Sequence, residues 1–347
     1  MTLKRVFITT ALLSGLSHVA VGHHSVSAWF DRSSTTELEG VVSEVSWQNP
    51  HVRFLLDVTN AEGEVMPWDI ETLSVAGITR WGITEDMIGV GDRLVVAGNP
   101  SRRNLNNIFV RNVLLPNGDE LVFGGGPRWT DAERALRAGE AVREASGETD
   151  ASELGIFRVW STGSGAGFLF PEALDSEFDF SNYPLTTSAA AALAAFDFFE
   201  DDPTRDCAPK GMPTIMEQPY PMEIIDAGDQ ILLRIEEYDT RRTIHMSRAL
   251  DPQQQPFSRL GFSLGRWEDD ELVVMTTRVD WGHFDSVGIP LSQDAVLEER
   301  FVLADQGSRL NYVLTVTDAA TFTAPVTVSK HFIWLPDARV EPFECVN

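Results

Sequence analysis

Seven histidines are spread over 347 residues, and three of them stand where metal chemistry could be done. His23 and His24 are adjacent, and His51 ends the run Trp47-Gln48-Asn49-Pro50-His51. Imidazole is a borderline ligand that suits Cu(II) and Zn(II), and copper tops the divalent affinity order. In a chain beginning at His23, the α-amine, the His23 Nδ1, His24 and His51 would form a nitrogen-rich set. Both cysteines, Cys207 and Cys345, lie far downstream, so a thiolate zinc site is excluded there. The plainer alternative is a dipeptide exposed by processing, with His51 hydrogen-bonded at a strand start. A second constellation is Asp280-Trp281-Gly282-His283-Phe284-Asp285. A histidine flanked by carboxylates suits a general base with an orienting acid. With Asp280 or Asp285, His283 would serve an isomerase, hydratase or lyase that needs no organic cofactor. The competing use of His283 is a core imidazole with its hydrogen bonds satisfied. Trp267, Trp281, Arg242 and His245 are candidate ligand-binding residues in the same half, since aromatic walls with a few polar groups suit small apolar molecules. No Gly-x-Ser-x-Gly, phosphate loop, dinucleotide fingerprint or His-Glu-x-x-His occurs, so no nucleotide cofactor is expected.

The start of the chain decides whether His23 can carry a free amine. Lys4 and Arg5 precede an apolar run from Val6 to Leu16, followed by Ala20-Val21-Gly22. This is the pattern of a secretory signal peptide, and the run is too short for a membrane span. Cleavage after Gly22 puts small residues at −3 and −1; cleavage after Ala20 would put His18 at −3. The expectation is a periplasmic or secreted protein of a Gram-negative bacterium, with no transmembrane segment in its mature form. Export also favours a Cys207–Cys345 disulfide over two buried thiols. The 27 basic residues, less Lys4 and Arg5, stand against 52 acidic ones, for a formal charge of −27. Such a surface repels phosphate backbones, so nucleic acid is not an expected partner. Only three lysines occur, Lys4, Lys210 and Lys330, which reads as adaptation to salt or as a compositional bias of the genome.

Predominantly β elements must position these groups. Glu39–Val45, His51–Val58, Val65–Glu71, Arg93–Gly98, Ile108–Leu115 and Glu120–Phe123 read as strands, with a helix-like stretch from Leu73 to Trp81. Three strands, a short helix and further strands is the order of an OB-like β-barrel, placed over residues 23–124 after a 1–22 signal peptide. Residues 125–206 read as a linker with helices, over Thr130–Arg143 and Thr187–Phe196. Residues 207–347 carry strand-like runs at Ile231–Glu236, Arg242–Met246, Leu272–Thr277, Glu298–Leu303, Leu310–Thr317 and Val326–Trp334. Local turns and no intervening helices predict an antiparallel lipocalin-like barrel or sandwich, closed by the disulfide.

Several motifs carry a resemblance. His23-His24-Ser25, Phe30-Asp31, Gly40-Val41-Val42 and Trp47-Gln48-Asn49-Pro50-His51 resemble the DUF6152 type of exported bacterial protein over roughly His23 to Phe123. The resemblance implies an exported OB-like domain and brings no activity. Cys207-Ala208-Pro209-Lys210-Gly211-Met212-Pro213, Pro219-Tyr220-Pro221, Arg241-Arg242, Gly265-Arg266-Trp267-Glu268-Asp269-Asp270 and Glu299-Arg300-Phe301 resemble a second uncharacterised module. The chain departs from that module after Arg242, where Ile244-His245-Met246-Ser247-Arg248 replaces an expected Tyr and Asp-Gly-Arg. Three functional expectations follow. The first is a binding protein for a small hydrophobic molecule, with a copper or zinc site at the mature N-terminus. The second is the His283 enzyme, and the third is a periplasmic assembly or scaffold module.

Overall fold

The alternating apolar residues of the first hundred positions fold into a closed barrel. The computed structural model describes residues 26–80, 82–103, 105–137, 155–162, 183–197, 200–204, 207–217, 220–247, 249–336 and 338–345. A one-turn helix α1 (Val26–Trp29) leads into β1 (Thr36–Ser46), β2 (Arg53–Thr59) and β3 (Val65–Glu71). Helix α2 (Val75–Thr79) follows, then β4 (Arg93–Pro100), β5 (Asn107–Leu114), β6 (Glu120–Val122) and β7 (Ala135–Arg137). The sheet runs β3-β2-β1-β4-β5-β6-β7, and a parallel β3–β5 pairing closes the first five strands on themselves. Two glycines permit the tight curvature. A Cβ on Gly40 would lie 2.5 Å from the Asp57 carbonyl oxygen, and one on Gly98 would lie 2.4 Å from that of Phe109. Gly98 also sits at a register shift between β4 and β5, where a bulge bends the strand. Inside lie Phe54, Leu56, Ile70, Leu94, Val96, Ile108 and Val110. Helix α2 adds Ile78 to that core, and its Ser74 N-cap accepts the Gly77 N–H at 3.1 Å.

The second barrel has nine strands. They are β8 (Val159–Ser161), β9 (Met222–Asp226), β10 (Gln230–Ile235), β11 (Thr240–His245), β12 (Phe262–Glu268), β13 (Glu271–Thr277), β14 (Val296–Ala304), β15 (Arg309–Thr317) and β16 (Val326–Trp334). They close in the order β10-β11-β12-β13-β14-β15-β16-β8-β9. Pairing is antiparallel except between β11 and β12. The interior is packed with side chains, and Met212, Ile215 and Met216 from a 3-10 turn over Thr214–Met216 join that core. Helix α3 (Thr187–Ala195) lies beside it, with Thr186 N–H bonded to the Thr321 carbonyl. Among the described residues no helix is long and apolar enough to cross a membrane.

Two elements differ from the sequence reading. The stretch expected as a helix from Thr130 to Arg143 contains β7, which pairs in parallel with β6. The cause is Glu120, whose carboxylate accepts the Arg128, Trp129 and Thr130 N–H groups at 2.7, 3.0 and 2.9 Å. That anchor lays the chain beside β6 before a helix can start. Within the expected linker, Trp160 on β8 is fully buried in the second core, so residues 125–206 supply strands to both barrels.

The barrels meet at the tail. Asn49 pairs with Cys345 in an isolated bridge, its Nδ2 donates to the Phe343 carbonyl, and its Oδ1 accepts the Val75 N–H at 3.1 Å. Cys345 is bonded to Cys207, 138 residues earlier, as expected from the sequence. Phe343 is fully buried between the Tyr220 and Tyr238 rings, at 5.2 and 5.0 Å.

Candidate functional site

His51 lies just before β2, where the cis Asn49–Pro50 bond turns the chain. Only 7% of its surface is exposed, and its Nδ1 is 2.9 Å from the Thr72 carbonyl oxygen. A carbonyl can only accept, so the Nδ1 carries a proton, and in the neutral ring the Nε2 holds the lone pair. That Nε2 faces Glu71 Oε1 at 3.8 Å, and Glu71 is 1% exposed. The other Glu71 oxygen faces Arg53 Nη1 at 3.8 Å. Arg53 in turn grips Asp69 through its Nε, at 3.1 Å, and its Nη2. Burial works against the Arg53 charge, but the Glu71 and Asp69 carboxylates outweigh it and raise its pKa. The row Asp69–Arg53–Glu71–His51 therefore fixes the Glu71 carboxylate with one oxygen toward the arginine and one toward the imidazole.

The same geometry places the start of the chain nearby. Glu71 is the register partner of Phe109 across the parallel β3–β5 pairing. The Phe109 ring stands edge-on to His51 at 6.4 Å and lies 5.6 Å from Phe30. Phe30 directly follows α1, which begins at Val26, so the chain enters the described structure on the His51 side of the barrel. His23 and His24 lie outside the described residues. Among the described residues, no three His, Cys, Asp or Glu side chains are grouped to hold a metal ion.

The second barrel treats its predicted residues differently. Arg242 is fully buried, and its guanidinium is bonded to the barrel's own groups. It donates to Glu299 Oε1 at 2.8 Å and to Glu299 Oε2, and to Ser263 and Thr276 hydroxyls at 3.0 and 2.9 Å. Tyr312 donates to the same Glu299 at 2.9 Å. Glu299 and Arg300 face opposite ways along β14, as strand alternation requires, so Arg300 instead binds Glu268 and Glu271 outside. His245 stacks on Phe262 at 4.8 Å, while Trp267 is 44% exposed at the other end of β12. Five residues of strand separate these positions by about 17 Å. His245 and Trp267 therefore stand near opposite ends of β12. Trp281 donates to the Thr214 hydroxyl at 2.9 Å.

Nor does His283 meet its expected acids. Asp280 accepts from Gln293 at 2.7 Å, and Asp285 accepts the Val287 and Ile289 N–H groups at 3.1 and 3.0 Å. The His283 ring packs edge-on against Trp281 and Phe196. Burial lowers its pKa, and the carboxylate that acts in the opposite direction is Asp202.

Sequence reading missed the destination of the lysines. Lys210 and Lys330 are both buried: Lys210 Nζ lies 2.8 Å from Glu237, and Lys330 Nζ donates to the Met216 and Glu217 carbonyls at 3.0 Å each. Burial pushes Lys330 down to about 7 against the pull of Glu217 and Glu237. A compact ammonium suits a carbonyl pair at the end of a turn better than a planar guanidinium. This cluster pins the 3-10 turn into the barrel, and that is its evident use. Glu71 was also missed, since β3 buries its last two residues in succession and strict alternation fails there.

Residues 11–108 match the model of a family described as a family of unknown function, DUF6152. The match takes in His51, Arg53, Asp69 and Glu71 together. No curated protein matches the chain.

Proposed function

We infer that this is an exported protein whose first barrel binds one divalent transition metal ion, copper or zinc. His51 would be the anchoring ligand, joined by His23, His24 and the α-amine released by cleavage after Gly22. The observation that carries the reading is the His51 ring itself. Its Nδ1 is tied to the Thr72 carbonyl while its Nε2 faces a buried carboxylate, the orientation that ligating histidines adopt. The second barrel then serves as a packed body rather than a ligand cup, because its centre is filled by Arg242, Glu299 and Tyr312.

The competing structural use is a buried His51–Glu71 ion pair with no metal. Metal analysis of the protein purified after export, with its N-terminus fixed by intact mass, separates the two. One equivalent of copper or zinc is expected, lost in His51→Ala and in a variant with one extra residue before His23. A metal-free protein, even after loading with both ions, would overturn the reading.

A further inference from the structure

We propose that the contact between the two barrels is a proton-operated latch centred on Glu236, closed when that carboxyl is protonated and loosened when it is ionised. The latch needs no metal in the first barrel, so it stands apart from the reading just given.

Glu236 lies directly after β10, at the seam between the barrels, and is 1% exposed. Its Oε2 accepts the Glu341 N–H of the tail at 3.2 Å, and Asp239 accepts the Phe343 N–H at 3.3 Å. The two carboxylates thus clasp the segment whose Phe343 carbonyl and Cys345 are held by Asn49 of the first barrel. The other Glu236 oxygen, Oε1, faces Arg80 Nη1 at 3.8 Å, beyond hydrogen-bond range. Arg80 is the C-cap of α2, and the N-cap Ser74 is hydrogen-bonded to Tyr220. Both ends of α2 therefore rest on the second barrel, one of them on Glu236. The groups facing this carboxyl are Arg80 from α2, Glu341 from the tail, Asp239 from the turn after β10 and Tyr220 from the approach to β9. One cation is thus set against two carboxylates, while Glu237, next in the chain, is paired with Lys210. Burial is the largest influence on Glu236 and outweighs Arg80, so the carboxyl is pushed up to about 7. Arg80 and the tail stand against its two oxygens, so parting the barrels opens both to water, where a carboxyl ionises near about 4. Joined barrels therefore hold a proton that separated barrels give up. The contribution is fully present below about 4, weakens the docking equilibrium by up to about tenfold per pH unit above that, and is lost as pH rises through about 7.

Hydrogen exchange of the full chain, read by mass spectrometry and corrected for the intrinsic pH dependence of amide exchange, tests the latch. From about pH 5 to about pH 8, wild-type protection over residues 75–80 and 341–345 is expected to fall by about 10–100-fold relative to the β14–β15 pair. Glu236→Gln cannot ionise and keeps an acceptor for the Glu341 N–H. Its relative protection at both segments should stay level across the range. Arg80→Met removes the facing cation, which should raise the Glu236 carboxyl further and move the end of the fall upward by about one pH unit or more. Wild-type protection that stays level overturns the latch, and so does protection that rises with pH, which would make the Arg80–Glu236 ion pair the closing element. A Glu236→Gln protein whose protection falls as the wild type's does also overturns it. Should Glu236→Gln fail to fold, Arg80→Met decides: an upward shift of the fall supports the latch, and an unmoved one rejects it.

Discussion

A buried carboxylate acts on stability through the form in which the fold holds it, and Asp285 shows the sign clearly. Burial first, and the neighbouring Glu217 charge second, push its pKa up to about 8. The folded chain therefore keeps the proton over a range where the unfolded chain, ionising near 4, has released it. Stability from this group is fully present below that unfolded value and is lost as pH rises through about 8. Glu236, pushed up to about 7 chiefly by burial, acts in the same direction. Lys330, pushed down to about 7, acts oppositely but only above that pH. Asp285→Asn keeps the shape and the acceptor for Val287 and Ile289 and cannot ionise. In urea unfolding its advantage over the wild type should be small near pH 5 and grow by about 1 kcal/mol or more by pH 8. A difference that stays constant with pH would show that Asp285 is ionised in the fold.

At the scale of elements, most strands could be read in advance because alternation marks one buried face. Leu232 to Arg234, Leu310 to Val316 and Val326 to Phe332 each alternate in and out along their strands. The strands that escaped notice are those whose cause is distant in sequence. β7 is rich in residues that favour helices, and it exists because Glu120 accepts five hydrogen bonds, including those from the Thr130 hydroxyl at 2.8 Å and Asn112 at 2.7 Å. Nothing local to Glu120 distinguishes it from a surface residue at a strand start. The candidate site divides in the same way: His51 stood out by its type and its Asn-Pro context, whereas Glu71 becomes visible only when β5 is laid beside β3. Glu120 also yields a prediction. Burial would raise its pKa, but the Arg128 and Trp129 N–H groups, with Thr130 and Asn112, outweigh this and hold it below the usual carboxylate range. Its contribution is therefore present above the unfolded pKa and lost as pH falls through the folded one. Glu120→Gln puts an amide NH2 against donors, and a loss of about 2–4 kcal/mol is expected, with hydrogen-exchange protection falling first at Ala135–Arg137. Unchanged protection there would mean that β7 is held by other contacts.

For the whole molecule, the question is whether two barrels behave as one body. Their ties converge on a few residues: Asn49 on the 343–345 tail, Arg80 facing Glu236 at 3.8 Å, and Ser74 hydrogen-bonded to Tyr220. The Cys207–Cys345 bond fixes that tail to the segment that carries Lys210 into the second core. It therefore secures both a barrel and a junction, and the two roles can be separated. A bond closing 138 residues restricts the unfolded chain by about 5 kcal/mol in the chain-entropy treatment. Replacing both cysteines by serine should lower the melting of the second barrel by much of that amount. Calorimetry should then resolve two transitions, because the freed tail no longer couples the second barrel to Asn49. Asn49→Ala should uncouple the barrels while leaving the disulfide and its chain restriction intact. It removes a donor to Phe343 and an acceptor for Val75, a cost of about 1–3 kcal/mol carried by the first barrel and the junction. If the double-serine variant still melts in one transition at a lower temperature, the tail is not what joins the barrels, and the coupling must reside in the Arg80–Glu236 and Ser74–Tyr220 contacts. Because His51 is two residues from Asn49, the same calorimetry with and without zinc would register any metal effect at the junction. Under the proposed site, metal should raise the first transition of the double-serine variant and leave the second where it was.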